Sequence, residues 1–459
     1  MKKAPTLLLL ILLLTGVAQA QTNTFKVGAT TVTASTLATG LTIPWELVWG
    51  PDDFIWMTER NGRISRVNPT TGAVLPLLQV PDVTPTGESG LLGMALHPDF
   101  TTSPYLYIVY NYTDNGLKEK LVRYTYSPGT GTLGSPMVLL AGITSTTTHS
   151  GSRLLILADR TLLMSTGDAQ LRPEAQNTAS LNGKILRLNL DGTIPADNPI
   201  AGSPVYSFGH RNPQGLLQLP TGQIISSEHG DAIEDEINLI EKGRNYGWPN
   251  VEGVCNTPNE LAFCAANNVR EPLVTWTPTI ATAGLKYYDS PAIPEWRGSL
   301  LLATLKASRL IQLTLNAANN GITAQQDFLA GAYGRLRAVC VSPQGRVYVS
   351  TSNNSPGVDQ LIVLENRAFV ATPTRNVVTG ALALFPNPAQ GSVTLRLPAP
   401  TATVATVAIL DALGRTMHTT TLAAARQEVT LPLSGLRAGI YTVRARTGTD
   451  VFTQRLVVE

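Results

Sequence analysis

The chain has 459 residues, 43% of them hydrophobic and 14% charged, and its 34 basic and 32 acidic side chains leave a net charge of +2. So weak a field excludes nucleic acid or an anionic membrane surface as a partner held by charge. The length exceeds what one ordinary domain buries unless the fold is a closed repeat, and three cysteines without a Cys-x-x-Cys pair argue against zinc.

Met1, Lys2 and Lys3 precede the apolar run LLLLILLLTGVA, and Ala18-Gln19-Ala20 then supplies small residues. This is the pattern of a secretory signal peptide over residues 1–20, cleaved after Ala20. An uncleaved anchor is the rival, but the run is short for a bilayer that needs ~20 apolar residues. No later segment is apolar enough to span, so an exported, soluble mature chain is expected.

From residue 21 to about residue 370 helical periodicity is nearly absent. GPDDFIWMTERNGRISRVNPTTG, ADRTLLMSTGD with NGKILRLNLDG, TGQIISSEHG with DEINLI, RGSLLLATLKASRLIQL, and SPQGRVYVSTSNN with DQLIVLEN share one outline. Each has a polar turn, a short β-rich run, a break, and a second run alternating apolar and polar. Such two-strand units, recurring at blade-like intervals, predict an all-β fold of the β-propeller type. A solenoid or a sandwich shares the pattern, because degenerate repeats do not fix closure.

Within this region the stretch 227–249, SEHGDAIEDEINLIEKGRNYGWP, gathers Glu228, Asp231, Glu234, Asp235 and Glu236 on one loop. Carboxylates, sharp glycine turns and exposed carbonyls form an oxygen-only set that suits Ca²⁺ better than a transition metal. The spacing is not that of an EF-hand, and an acidic surface loop has the same composition. Cys255 and Cys264 bound a polar loop and predict a disulfide in an oxidising compartment, while Cys340, inside AVCVS, predicts a buried thiol.

Polar residues also interrupt core-like strands: His149 in HSGSR, Arg211, Asn212 and Gln214 in GHRNPQGL, Lys306 in ATLKASRL, and Arg335 and Arg337 in GRLRAV. Buried charges demand partners. Converging at a channel mouth, one imidazole, several cations and a hard metal describe a site for an anionic, oxygen-rich ligand.

Residues 371–383 read as a linker, followed by the turn FPNP at residues 385–388. Beyond the linker, period-two alternation over residues 384–459 predicts a small C-terminal β-sandwich. The ordered blocks FPNP, LDALGR and LSGLRAGIYTVR resemble the C-terminal sorting domain of type IX secretion, which implies recognition by that secretion machinery. A carbohydrate- or adhesion-type sandwich is the alternative.

GESGLLGMALHPDF, HSGSRL, MSTGDA, NGKILRLNLDG, SFGHRNPQGL, EDEINLIEKGRNYGWP, LLATLKASRL and GRLRAVCVSPQGRVYVSTS, in this order, resemble the soluble PQQ-dependent sugar dehydrogenases. That resemblance implies a six-bladed propeller, PQQ and Ca²⁺ as cofactors, an aldose substrate oxidised to a lactone, and an external electron acceptor. It implies His149 as the general base and Arg211 as the cation beside the reactive quinone carbonyl. Asn212, Gln214, Lys306, Arg335 and Arg337 would surround the quinone and its carboxylates. The carbonyls of Gly230 and Asp231 would bind the catalytic Ca²⁺; Glu236 and Tyr246, assisted by Asp235, would bind a structural one. Four features depart from the family pattern: Glu88 where an active-site glutamine is usual, Ser152 in place of a glycine, Asp231 in place of a proline, and Ala158-Asp159-Arg160 where a Pro-Asp-Gly type of turn is usual. They put glucose itself in doubt as the substrate. A non-catalytic ligand-binding propeller and a Ca²⁺-dependent lactonase are the rival readings.

Overall fold

The computed structural model describes residues 22–369, 382–400, 404–411, 415–447 and 450–459. The expected signal peptide and nearly all of the expected linker lie outside them. The chain divides into two compact units, Met1–Phe369 and Val370–Glu459, and the described residues are all-β apart from one α-helix and two short 3₁₀ turns. Among the described residues no helix is long and apolar enough to cross a membrane.

Each repeated two-strand unit is the middle pair of an antiparallel sheet. Ile55–Glu59 and Arg63–Val67 lie between Pro44–Trp49 and Val74–Gln79; Thr161–Thr166 and Lys184–Asn189 lie between Gly151–Ile156 and Val205–Phe208. Ile224–Glu228 and Asp235–Ile240 lie between Pro213–Gln218 and Val274–Trp276; Ser299–Thr304 and Leu310–Leu315 lie between Thr282–Tyr288 and Ile322–Phe328. A further sheet, from Leu91–Leu96 to Thr132–Thr144, has Tyr105–Thr113 and Leu117–Ser127 at its centre. The repeat pattern did not reveal it, because its central strands are long and its turn residues sparse.

The remaining sheet joins the two ends of the unit. Leu336–Val341, Val347–Thr351 and Asp359–Glu365 are extended by Thr30–Leu41, which pairs with Asp359–Glu365 from Thr33↔Glu365 to Leu41↔Asp359, and then by Thr22–Val27. Hydrophobic clusters sit between consecutive sheets rather than in one central core: Trp56 and Ile64 meet Leu106 and Ile108, for example, and Leu47 and Met57 meet Tyr348 and Leu361. Each first strand also packs on the first strand of the next sheet, and the last returns to the first. Sheets buried on both faces in this way need apolar residues on both faces of their middle strands, as Ile55–Glu59 and Ser299–Thr304 show by being buried throughout.

One local prediction fails. The polar loop around Cys255 and Cys264 contains an α-helix, Pro258–Asn267, with a capping box: Thr257 accepts from the Glu260 amide, and the Glu260 side chain accepts from the Thr257 amide. The Thr-Pro-Asn-Glu signature encodes this start; apolar periodicity alone misses it. The disulfide Cys255–Cys264 is formed, and Cys340 is a buried thiol.

In the C-terminal unit, Ala383–Phe385, Ser392–Arg396 and Glu428–Pro432 form one sheet. Thr416–Leu422, Ala405–Leu410, Gly439–Thr447 and Asp450–Val458 form the other. Val393, Leu395 and Leu431 from the first share a core with Val407, Ile409, Val443 and Leu456 from the second, as strict alternation along each strand requires.

Candidate active site

Among the described residues of the N-terminal unit, the first strands of six sheets begin at Pro44, Leu91, Gly151, Pro213, Thr282 and Leu336. Residues at these entry ends, with neighbouring loops, enclose a cavity of about 410 Å³. It is lined by Trp45, Glu88, Ser150, Gly151, Gln214, Ala281, Arg335 and Arg337, joined by Arg60, His229 and Lys306. Of the residues singled out in the sequence, Glu88, Gln214, Lys306, Arg335 and Arg337 therefore meet here. Arg60, Trp45 and His229 were not anticipated; only convergence in three dimensions brings them in.

Four cations and one acid face this space. Burial works against the charge of Arg337, Arg335 and Arg60, and the Glu88 carboxylate is the main charge favouring each of them. Guanidinium does not deprotonate in proteins, so such a cluster is relieved only by anions. Lys306 donates to Thr279 Oγ1 at 2.9 Å. His229 Nε2 is buried without a hydrogen-bond partner, and burial lowers its pKa, which keeps the ring neutral.

His149 stands immediately before the third sheet's first strand with φ +57°, a left-handed conformation that costs about 1–3 kcal/mol in a non-glycine residue. Its amide donates to Glu88 Oε2 at 3.3 Å. A Cβ on Gly167 would lie 1.8 Å from the His149 carbonyl oxygen, so only glycine leaves room for the histidine's backbone there. The ring Nδ1 is 2.7 Å from Asp168 Oδ1, and Asp168 is fully buried. Burial pushes the Asp168 carboxyl up, but hydrogen bonds from His149, the Gln170 amide and Trp248 Nε1 hold it below the usual range. A carboxylate on Nδ1 keeps the proton there and leaves Nε2 as the basic nitrogen. Asp168 falls within MSTGDA, where nothing local distinguishes it from a turn aspartate.

Trp248 continues the arrangement. The guanidinium of Arg211 lies 5.3 Å from its ring centroid and that of Arg172 lies 5.0 Å from it. Both arginines bind Asp231, at 2.8 Å and 2.6 Å; although burial opposes it, this pairing holds the Asp231 carboxyl below its ordinary range. Asn212 Oδ1 accepts from the Gly151 amide and from Gln214 Nε2, both at 3.0 Å, so it ties the two entry turns together. Ser152, buried with φ +66°, donates to Glu119 Oε1 at 2.6 Å; this contact is what the serine adds in place of glycine.

The acidic loop closes a small second cavity lined by Glu228, Gly230, Glu234, Glu236, Tyr246 and Glu252, with Arg211 and with His229, which also lines the first cavity. Burial, and then the charge of Glu228, push Glu236 up to about 8, and Glu234 Oε2 is buried without a partner. Asp235 Oδ1 accepts from the Gly230 amide and its Oδ2 from the Ile280 and Ala281 amides, which fastens the acidic loop to the entry of the next inner strand. The Tyr246 hydroxyl is likewise engaged, donating to the Leu239 carbonyl and accepting from the Glu241 amide. Among the described residues no three His, Cys, Asp or Glu side chains are grouped so as to hold a metal by themselves.

Residues 41–361 match the family model of glucose/sorbosone dehydrogenases, and residues 383–459 match that of the secretion system C-terminal sorting domain. Quinoprotein glucose dehydrogenase B of Acinetobacter calcoaceticus is 41% identical over 314 residues, 61% of this chain and 65% of that protein, so the chain spans just under two thirds of that relative's length. Aldose sugar dehydrogenase YliI of Escherichia coli is 31% identical over 348 residues, 71% of this chain and 91% of that protein. The PQQ-bound aldose sugar dehydrogenase from Streptomyces coelicolor aligns with a TM-score of 0.64 at 32% identity, covering 76% of this chain and 98% of that one. The chain belongs to the glucose/sorbosone dehydrogenase family and ends in a secretion-system sorting domain.

Proposed function

We propose that this chain is an exported, Ca²⁺-assisted, PQQ-dependent sugar dehydrogenase. In this reading residues 21–370 form a six-bladed propeller, and residues 384–459 form a sandwich read by the type IX secretion machinery. The enzyme oxidises the anomeric carbon of an aldose to a lactone and passes the electrons to an external acceptor. The observation that carries this is one relationship: a carboxylate-oriented imidazole stands beside a cavity with four cations and a single acid.

The cavity fits a flat polyanion. Arg60, Lys306, Arg335 and Arg337 would receive its carboxylates, relieving the buried guanidiniums, and Asn212 and Gln214 would supply amide contacts. Bound PQQ supplies two-electron, hydride-accepting chemistry. His149 Nε2 takes the proton of the anomeric hydroxyl, and Asp168 holds the ring's tautomer and stabilises the imidazolium that results. Arg211, steadied by Trp248 and Asp231, would supply the cation that stabilises negative charge on the cofactor carbonyl. The acidic cavity, with the unpartnered Glu234 oxygen and the raised Glu236 carboxyl, fits an oxygen-ligated cation. Glu236 and Glu234 would hold it with main-chain oxygens of the loop, and the carbonyls of Gly230 and Asp231 would serve a Ca²⁺ beside the cofactor.

The test is reconstitution of the purified apoprotein with PQQ and Ca²⁺, a dye acceptor and a panel of aldoses. Dye reduction that requires both additions and yields the aldonolactone is expected. A fully PQQ-loaded protein that oxidises no aldose overturns the proposal.

A further inference from the structure

The inner strands that open the cofactor-sized cavity at their entry ends enclose a different cavity at their exit ends. It measures about 510 Å³ and is lined by Val48 and Trp49 of the first strand, Leu96 of the second and His97 just beyond it, Ile156, Leu216, Lys286 and Val339. None of the residues assigned to catalysis or cofactor binding lines it. Trp45 and Glu46 separate the two spaces: Trp45 lines the entry cavity and Glu46 the exit cavity.

The floor of the exit cavity is Arg153, with its side chain 5% exposed. Its guanidinium lies 4.1 Å from the Trp45 ring centroid, with Arg337 5.6 Å from the same centroid. Nε donates to the Gln214 carbonyl at 2.8 Å and Nη1 pairs with Glu46, but Nη2 is buried without a partner. A buried guanidinium nitrogen left without an acceptor carries an uncompensated desolvation cost. That nitrogen lies 3.5 Å from where a Cβ on Gly284, another lining residue, would stand. Lys286, half-buried on the wall, makes no hydrogen bond or ion pair among the described residues. His97 accepts from the Asp99 amide through Nδ1, so its Nε2 carries a proton, and burial favours the neutral ring.

Against these donors stand two acids. Glu46 is held by Arg153 and by the Leu47 amide, and Asp53 sits exposed at the rim. The rest of the wall is apolar, including Trp49, Met94, Leu216, Leu285 and Val339. Ligand pockets of ~300–1,000 Å³ with apolar walls and a few convergent polar groups bind small organic molecules.

We infer that the exit cavity is a second ligand site, and that it takes a small aromatic monocarboxylate. Arg153 Nη2 and Lys286 receive the carboxylate, and the apolar wall receives the ring. One charge is the limit, because Glu46 and Asp53 oppose a second. A polyhydroxylated sugar acid is excluded, since its hydroxyls would be desolvated against carbon without partners.

The test is calorimetric titration of 2-naphthoate into the full-length protein loaded with PQQ and Ca²⁺, so that the entry cavity is filled. Saturable binding at one site is expected. Lys286→Met should weaken it about tenfold or more, the effect of losing a charged hydrogen bond, and Val48→Trp should abolish it by filling the wall. Lys286→Met should leave sugar oxidation unchanged, and gluconate should give no saturable heat. Absence of saturable naphthoate binding at millimolar concentration overturns the inference. So does binding that survives both substitutions, or gluconate binding in preference to naphthoate. Because heat and not turnover is read, failure here is separable from failure of the proposed sugar oxidation.

Discussion

Asp168 holds His149 from one side and Trp248 from the other: Nδ1 of the histidine and Nε1 of the tryptophan lie 2.7 Å and 2.8 Å from its two oxygens. Orientation of the proposed base thus depends on a buried carboxylate that never meets substrate. His149→Gln should leave PQQ and Ca²⁺ binding intact and lower the rate of cofactor reduction by ~10²–10⁴-fold, the usual worth of a general base. Asp168→Asn should lower it by a comparable factor through loss of the tautomer. Rapid mixing of the loaded variants with the best sugar measures both; a near-native rate in His149→Gln would place the base elsewhere.

Glu88 is the acid that most favours the charge of three arginines in the cofactor-sized cavity. Glu88→Gln removes a negative charge that both balances them and repels an anionic ligand. Cofactor affinity should rise, by about tenfold for roughly 1.4 kcal/mol of relieved repulsion, while the apoprotein melts at lower temperature. Fluorescence titration of PQQ and a melt of the apoprotein read the two effects, and weaker cofactor binding would show that Glu88 is a direct ligand.

Glu119 is wholly buried with the Ser152 hydroxyl as its partner, and burial pushes its pKa up to about 8. Between its ordinary value near 4.5 and that raised value the folded state binds a proton that the unfolded state has released. Stability from this site is therefore present at low pH and is lost as pH climbs through 8. Glu119→Gln should flatten the fall in melting temperature between pH 5 and 9; an unchanged slope would mean that Glu119 is ionised in the fold.

The acidic cavity predicts a cation that stabilises by binding only the folded chain. Chelation should lower the melting temperature by roughly 5 °C and added Ca²⁺ should restore it. Glu236→Gln should remove most of that response. A melting curve indifferent to chelator and Ca²⁺ would refute a metal in this cavity.

Cys255 and Cys264 are joined, and burial pushes the Cys340 thiol up to about 12. Native protein should therefore resist alkylation altogether. Unfolding without reductant should expose one thiol, and unfolding with reductant three. Mass spectrometry counts them, and two or more labels before reduction would contradict the bridge.

What the chain determines locally was legible: period-two strands, the turns between them, and the polar residues His149, Arg211, Lys306, Arg335 and Arg337 set in apolar runs. Each depends on residues within one or two strands of itself. The Thr257–Glu260 capping box was legible too, although apolar periodicity passed over it. Closure was not: Thr33 pairs with Glu365 across nearly the whole N-terminal unit, and no local pattern identifies so distant a partner. The same holds for the acids. Asp168, Asp231, Asp235 and Glu236 look alike in a loop, and only the fold separates them. Asp168 receives an imidazole, Asp231 two arginines, Asp235 three amides, and Glu236 buried acidic neighbours. A carboxylate's role is set by which charges and donors share its desolvated volume, and that volume is assembled from strands far apart in the chain.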